Sequence, residues 1–136
     1  MGSLSFHIEF PPTPWKRPSG TTQRFDAQVA EKSAFNLLVL QQIKQHLPLI
    51  SSEPFFKRHL PLTVQIVFFL KRPASSVLDF PTNKSDIDNL SKFVLDALQT
   101  GQMSGRIWHD DGQIIDLSAK KRWADSDSIF CSIGEF

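Results

Sequence analysis

Cysteine is almost missing from this chain: Cys131 is the single one among 136 residues. No intrachain disulfide can form, and a Cys-based metal site is not expected. A reducing, intracellular and cytoplasmic setting is the expectation. Long apolar runs are missing too. No stretch approaches the roughly 18 residues of a membrane span, so no membrane role is expected. The opening MGSLSFHIEF has neither the basic start nor the extended apolar stretch of a secretory signal. A surplus of one charge sign is also missing, with 15 Lys and Arg against 14 Asp and Glu. That balance is bland for a protein that holds nucleic acid by neutralising phosphates. Repeats and low-complexity tracts are absent, and residues 1–136 read as a single domain.

What is present suffices for one core, since 40% of the residues are apolar. The basic residues are clustered: Lys16-Arg17, Lys57-Arg58, Lys71-Arg72 and Lys120-Lys121-Arg122. Two or three such clusters on one face would give a local positive surface despite the neutral total. Solvated surface charge explains each cluster taken singly.

Residues 4–10, LSFHIEF, alternate apolar and polar and predict a half-buried strand. The proline-rich PPTPWKRPSG that follows is a loop. Residues 26–46 predict a helix with Asp26 as N-cap and a stripe of Val29, Ala30, Ser33, Leu37, Leu40 and Ile43 or Lys44. Pro48 ends it. Residues 62–72, LTVQIVFFLKR, predict a central strand, and Val67 and Phe69 on its second face predict cover on both sides. A helix follows from about residue 86, burying Ile87, Leu90, Val94, Ala97 and Leu98, with Gly101 and Gly105 marking its exit. QIIDLSAKK and SIFCSI predict two last strands, antiparallel partners joined around 124–126. The order β-α-β-α-β-β implies an α+β domain, a mixed sheet with helices packed against it.

Two stretches carry the chemistry. SDIDNLSKFVLDAL places Asp86 and Asp88 at a helix start, with Asp88, Lys92 and Asp96 at four-residue spacing on one stripe. N-capping and a solvated salt-bridge ladder explain this stretch by itself. IWHDDGQIIDL adds Asp110 and Asp111 where a strand begins, and strand propensity does not ask for Asp there. Trp108 is a natural anchor for that turn. If the turn brings Asp111 beside Asp86 and Asp88, three carboxylates meet, which requires a cation or raised pKa values. Oxygen donors alone select a hard ion, Mg²⁺ or Mn²⁺, and such sites suit metal-assisted phosphodiester cleavage. Lys92, one turn beyond Asp88, would then face the scissile phosphate or the leaving oxygen. His109 reads as an exposed turn residue.

The strings Asp86-Ile87-Asp88-Asn89-Leu90-x-Lys92-x-x-x-Asp96-Ala97-Leu98 and Trp108-x-Asp110-Asp111-x-Gln113-Ile114 closely resemble the RusA family of Holliday-junction resolvases. PPTPWKRP is similar to that family's proline-rich opening. The resemblance implies a homodimeric, Mg²⁺-dependent endonuclease (Mn²⁺ substituting) that cuts four-way DNA junctions by paired symmetric nicks. It implies metal-binding and catalytic roles for Asp86, Asp88 and Asp111, and a base-type role for Lys92. Asp110, Asp96 and Asn89 take supporting roles. Two departures stand out: the stretch before Asp86 is DFPTNKS, with Lys84 its one cation, and the link Gln99 to Arg106 is longer than the family's.

Lys16, Arg17, Lys84, Lys120, Lys121 and Arg122 are the candidate DNA contacts. Trp15 fits either a contact at the junction or an aromatic packed over the sheet edge. Three other readings remain: a non-catalytic nucleic-acid-binding protein of the same fold, a nuclease for other branched DNA, and an interaction module whose ligand is PPTPWKRP.

Overall fold

The computed structural model describes residues 2–17, 28–44, 54–99 and 107–136. Its elements are β1 (Ser3–Ile8), α1 (Val29–Ile43), β2 (Leu62–Lys71), α2 (Ile87–Gln99), a single 3₁₀ turn (Asp111–Gln113), β3 (Ile114–Ala124) and β4 (Ser128–Glu135). This is the predicted order. The predicted Asp26 cap, the stop at Pro48 and the glycine exit at Gly101 and Gly105 lie outside the described residues. No described helix is long and apolar enough to cross a membrane.

The four strands form one mixed sheet in the order β1-β4-β2-β3. β4 runs antiparallel to both β1 and β2, whereas β3 runs parallel to β2. The predicted pairing of the last two strands is therefore corrected: the short 125–127 connection steps over the end of β2. Burial explains the choice. Ile129, Cys131 and Ile133 are fully buried and suit an interior position, whereas Asp116, Ser118 and Lys120 are exposed and suit an edge.

Alternation sends Leu4, Phe6 and Ile8, Leu62, Val64, Ile66 and Phe68, and the β4 triplet to one face, where both helices cover them. The second face of β2 is only partly covered. Val67 and Phe69 are half-buried and Gln65 is exposed, which corrects the expected two-sided cover. His7 packs there at 5.6 Å from Phe69 and 6.3 Å from Phe130, between ring centroids, with Nε2 2.8 Å from Ser128 Oγ. A bulge on β3 leaves Ile115 unpaired, because Leu62 pairs with Ile114 and Thr63 with Asp116. The bulge resets the alternation, so Leu117, Ala119 and Lys121, paired with Val64, Ile66 and Phe68, share the helix-bearing face.

α2 buries Leu90, Phe93, Val94, Ala97 and Leu98, close to the predicted stripe. α1 follows its predicted stripe only at Leu40 and Ile43. Its inward face is Lys32, Phe35, Asn36, Val39 and Ile43, while Val29 and Leu37 are 57% and 55% exposed. Two polar side chains hold that rotation by finding partners on α2. Lys32 Nζ lies 3.7 Å from Asp96 Oδ2, and Asn36 Nδ2 donates to the Ala97 carbonyl at 3.1 Å. A buried polar group with a partner is tolerated where an unpaired one is costly.

Candidate active site

The start of α2, the 3₁₀ turn and the helix-facing side of β3 meet around a cavity of about 490 Å³. Asp88, Ser91 and Lys92 reach it from α2, Asp111 from the turn, and Leu117 and Ala119 from β3. Three of the four predicted catalytic side chains therefore share one space.

On the helix, the Asp86 carbonyl accepts the Leu90 N–H at 3.1 Å, and Asp88 Oδ1 accepts the Asn89 N–H at 2.9 Å. Ser91 Oγ donates to the Ile87 carbonyl at 2.7 Å, which spends the hydroxyl proton on the backbone. Lys92 Nζ sits 3.8 Å from Asp96 Oδ1, and Asp96 thus bridges Lys92 and Lys32. Lys92 Nζ also lies 4.7 Å from the ring centroid of Trp15, a cation–π arrangement. Trp15 is held by its own N–H, which donates to the Asn89 carbonyl at 2.9 Å. Behind it, buried Gln28 accepts the Lys16 N–H at 2.8 Å and donates to the Pro14 carbonyl at 2.9 Å. The proline-rich loop is thereby fastened to the starts of both α1 and α2, and Trp15 packs half-buried against the core beneath Lys92.

The turn is built as tightly. Trp108 is fully buried. Gln99, the last residue of α2, accepts from Trp108 Nε1 at 3.3 Å and from the Asp111 N–H at 2.7 Å, tying the turn to the helix. Asp110 caps the turn by accepting the Gly112 N–H at 2.9 Å. Buried Gln113 closes the capping box. Its Oε1 accepts the His109 and Asp110 N–H groups at 2.9 and 3.0 Å, and its Nε2 donates to the Lys57 and Leu60 carbonyls at 2.8 and 3.1 Å. The tight 57–60 turn presenting those carbonyls carries His59 at φ 67°.

Electrostatics distinguish the two acids of the turn. Partial burial raises the Asp111 carboxyl above its ordinary value, with Asp110 and Asp96 adding to the rise and Lys92 opposing it. The Gly112 N–H, and then the Asp111 side chain, lower Asp110. Asp111 therefore sits among like charges that disfavour its anion, a situation a bound cation reverses.

The predicted triple convergence is not assembled. Among the described residues no three His, Cys, Asp or Glu side chains are grouped to hold a metal ion. Asp86 is exposed and does not line the cavity. The reason is geometric, because residues two apart at a helix start do not face each other. Asp88 and Asp111 remain as an oxygen-only donor pair, chemically suited to a hard divalent ion that keeps most of its waters.

Asp110 faces a separate cavity of about 420 Å³ with Arg58, His59 and His109, so His109 is half-buried and not an exposed turn residue. Lys16 and Arg17 are exposed on the fastened loop. Lys84 is exposed beside the α2 entrance. The 120–122 cluster divides between faces. Lys121 points to the helix side and donates to the Ser85 carbonyl at 3.1 Å, whereas Lys120 and Arg122 pair with Val67 and Phe69 on the other face. Arg122 lies 5.7 Å from the Phe80 ring centroid.

Gln99, Gln113 and the Trp15–Lys92 contact had no assigned role in the sequence reading. The D-x-x-Q spacing of Asp110 and Gln113 was the available signal, since it is a capping-box pattern. Gln99 and Trp15 had none, because their partners are set by packing.

Fold and site together define a small α+β domain that gathers two carboxylates and a lysine at a helix start. The family model described as Endodeoxyribonuclease RusA matches residues 9–133, and the chain belongs to that family. It is also similar to the Bacillus subtilis (strain 168) protein named "Uncharacterized protein YqaN", with 27% identity over 144 residues covering 99% of this chain and 98% of the relative.

Proposed function

We propose that this chain is a Mg²⁺-dependent, structure-specific endodeoxyribonuclease that resolves four-way DNA junctions by paired nicks during recombination and repair, with Mn²⁺ able to substitute. The observation that carries the reading is the meeting of Asp88, Lys92 and Asp111 around one cavity, in a member of an endodeoxyribonuclease family. Asp88 and Asp111 are the side chains that would hold the ion, while exposed Asp86 at the helix entrance stays outside the cavity. Bound there, the ion would polarise a phosphoryl oxygen and acidify a water.

The chain's own residues do the rest. Lys92, oriented by Asp96 and Trp15, presents a cation to the phosphate or the leaving oxygen. Asp110, Gln113 and Gln99 hold Asp111 in place. Leu95, Leu117 and Ala119 give the cavity an apolar wall. Paired nicks across a nearly two-fold junction require two sites, which a symmetric homodimer provides.

The test is cleavage of a synthetic four-way junction in Mg²⁺ by the parent, Asp88→Asn and Lys92→Ala. Symmetric paired nicks by the parent and their loss in both variants are expected. Full activity in both variants overturns the mechanism. Tight binding without cleavage in Mn²⁺ by the parent identifies a binding protein, and faster cutting of flaps than of junctions identifies a different branched substrate.

A further inference from the structure

A second cleft, about 630 Å³, opens at the same helix start. Its charged lining comes from three places in the chain. Lys71 is the last residue of β2, Arg72 follows it, and Lys84 lies two residues before Asp86. Asp127 is the one carboxylate in the lining, and its Oδ1 is engaged by the Lys71 backbone N–H at 2.8 Å. Pro12, Leu70 and Pro73 form an apolar wall, and Ser85 sits at the margin with its carbonyl held by Lys121 Nζ at 3.1 Å.

Three cations therefore converge on one concave surface, and a fourth, Lys121, stands at its edge. Among the described residues none of Lys71, Arg72 and Lys84 is in an ion pair. The guanidinium of Arg72 makes one long contact, Nη2 to the Ser76 carbonyl at 3.5 Å. Its backbone is fixed, because its N–H donates to the Ala124 carbonyl at 3.1 Å. Gathering like charges without internal partners works against the fold, and the natural complement is an external anion. Neighbouring lysines on flexible stems with one planar guanidinium suit phosphate oxygens, Arg giving the directional bonds and Lys the point charge.

We infer that this cleft binds a backbone phosphodiester of the DNA strand being cut, close to the scissile one. The inference rests on the nuclease reading and deepens it. Ser85 in this cleft and Asp88 in the acidic cavity are three residues apart, and because α2 begins only at Ile87 the chain between them spans at most about 10 Å. Phosphates on one strand recur about every 3.4 Å along a duplex axis, so a strand crossing both cavities would meet them within roughly three nucleotides of each other. The apolar wall offers a surface for a sugar. Recognition here is sequence-blind and positions the strand.

The experiment is fluorescence-anisotropy titration of a labelled four-way junction without divalent ions, across a series of salt concentrations. Parent, Arg72→Ala, Lys84→Ala, the charge reversal Lys84→Glu and Lys44→Ala are compared, with Lys44 an exposed lysine elsewhere on the surface. Thermal melting of each variant confirms folding. Each alanine variant of the cleft should bind at least about five- to tenfold more weakly and lower the log–log salt slope by about 1 for each cleft engaged, about 2 for a dimer. Lys84→Glu should bind weaker still, and Lys44→Ala should match the parent. A parent that binds and cuts junctions while the cleft variants keep its slope and affinity overturns the cleft alone. A parent that binds no junction at any salt concentration overturns the nuclease reading and the cleft with it.

Discussion

Gln113→Ala is the most informative single perturbation of this molecule. The side chain is buried and makes four hydrogen bonds, two accepted from His109 and Asp110 and two donated to Lys57 and Leu60. Truncation strands two N–H groups and the Leu60 carbonyl, while the Lys57 carbonyl keeps the Leu60 N–H at 3.2 Å. At a net value near 1 kcal/mol per bond, with some rescue by water, the loss is about 3 kcal/mol. Unfolding entropy near 2.1 cal/mol/K per residue converts that to a fall in Tm of about 10 °C for a 136-residue domain. Differential scanning calorimetry at neutral pH measures it. Gln113→Glu separates the two halves of the network. It keeps acceptors for the two N–H groups but sets a carboxylate against two carbonyl oxygens, so its Tm should also fall at neutral pH and recover partly on acidification. A Tm within about 3 °C of the parent for Gln113→Ala would show that water replaces the amide freely and that the turn is not held as described.

Other outcomes follow from the same geometry. Asp111 has a raised carboxyl in the folded state, so its stabilising share is full below the ordinary carboxylate range and lost as pH rises through the raised folded value. Asp110, shifted the other way, loses its share as pH falls. Asp111→Asn should therefore melt higher than the parent near pH 7 and lose that gain below about pH 4; equal melting at both pH values contradicts the environment given to Asp111. Mg²⁺ should raise the Tm of the parent near pH 7 and not that of Asp111→Asn, as seen by thermal shift. Trp15→Leu should slow single-turnover cleavage about two- to fivefold, the value of an exposed cation–π contact, and Trp15→Phe less. In the NMR spectrum the same Leu variant should lose the upfield shift of the Lys92 ε-methylene protons, and an unshifted parent refutes the contact. Burial raises the Cys131 thiol far above its ordinary value, so a thiol reagent should label native protein negligibly and denatured protein fully. Rapid native labelling would place Cys131 nearer solvent.

The sequence by itself determined the element order, the inward face of β1 and β2 and the stripe of α2, because alternation and helical spacing are local consequences of backbone geometry. It also carried the two acidic motifs that mark the family. Tertiary structure decided what pairs with what. Backbone hydrogen bonds are blind to side chains, so nothing local told that β4 inserts between β1 and β2 and leaves β3 at the edge. The turned face of α1 was hidden for a related reason: Lys32 and Asn36 look like surface residues until Asp96 and the Ala97 carbonyl arrive opposite them. The site divides the same way. Asp88 and Lys92 were legible as neighbours on one helix, but Asp111 joins them only once Gln99 and Gln113 fix the turn against the helix, and Asp86, just before α2, lies outside the cavity. Lys71, Arg72 and Lys84 are far enough apart in the chain to look like scattered surface charge. They become one cationic cleft only when the end of β2 is packed against the start of α2.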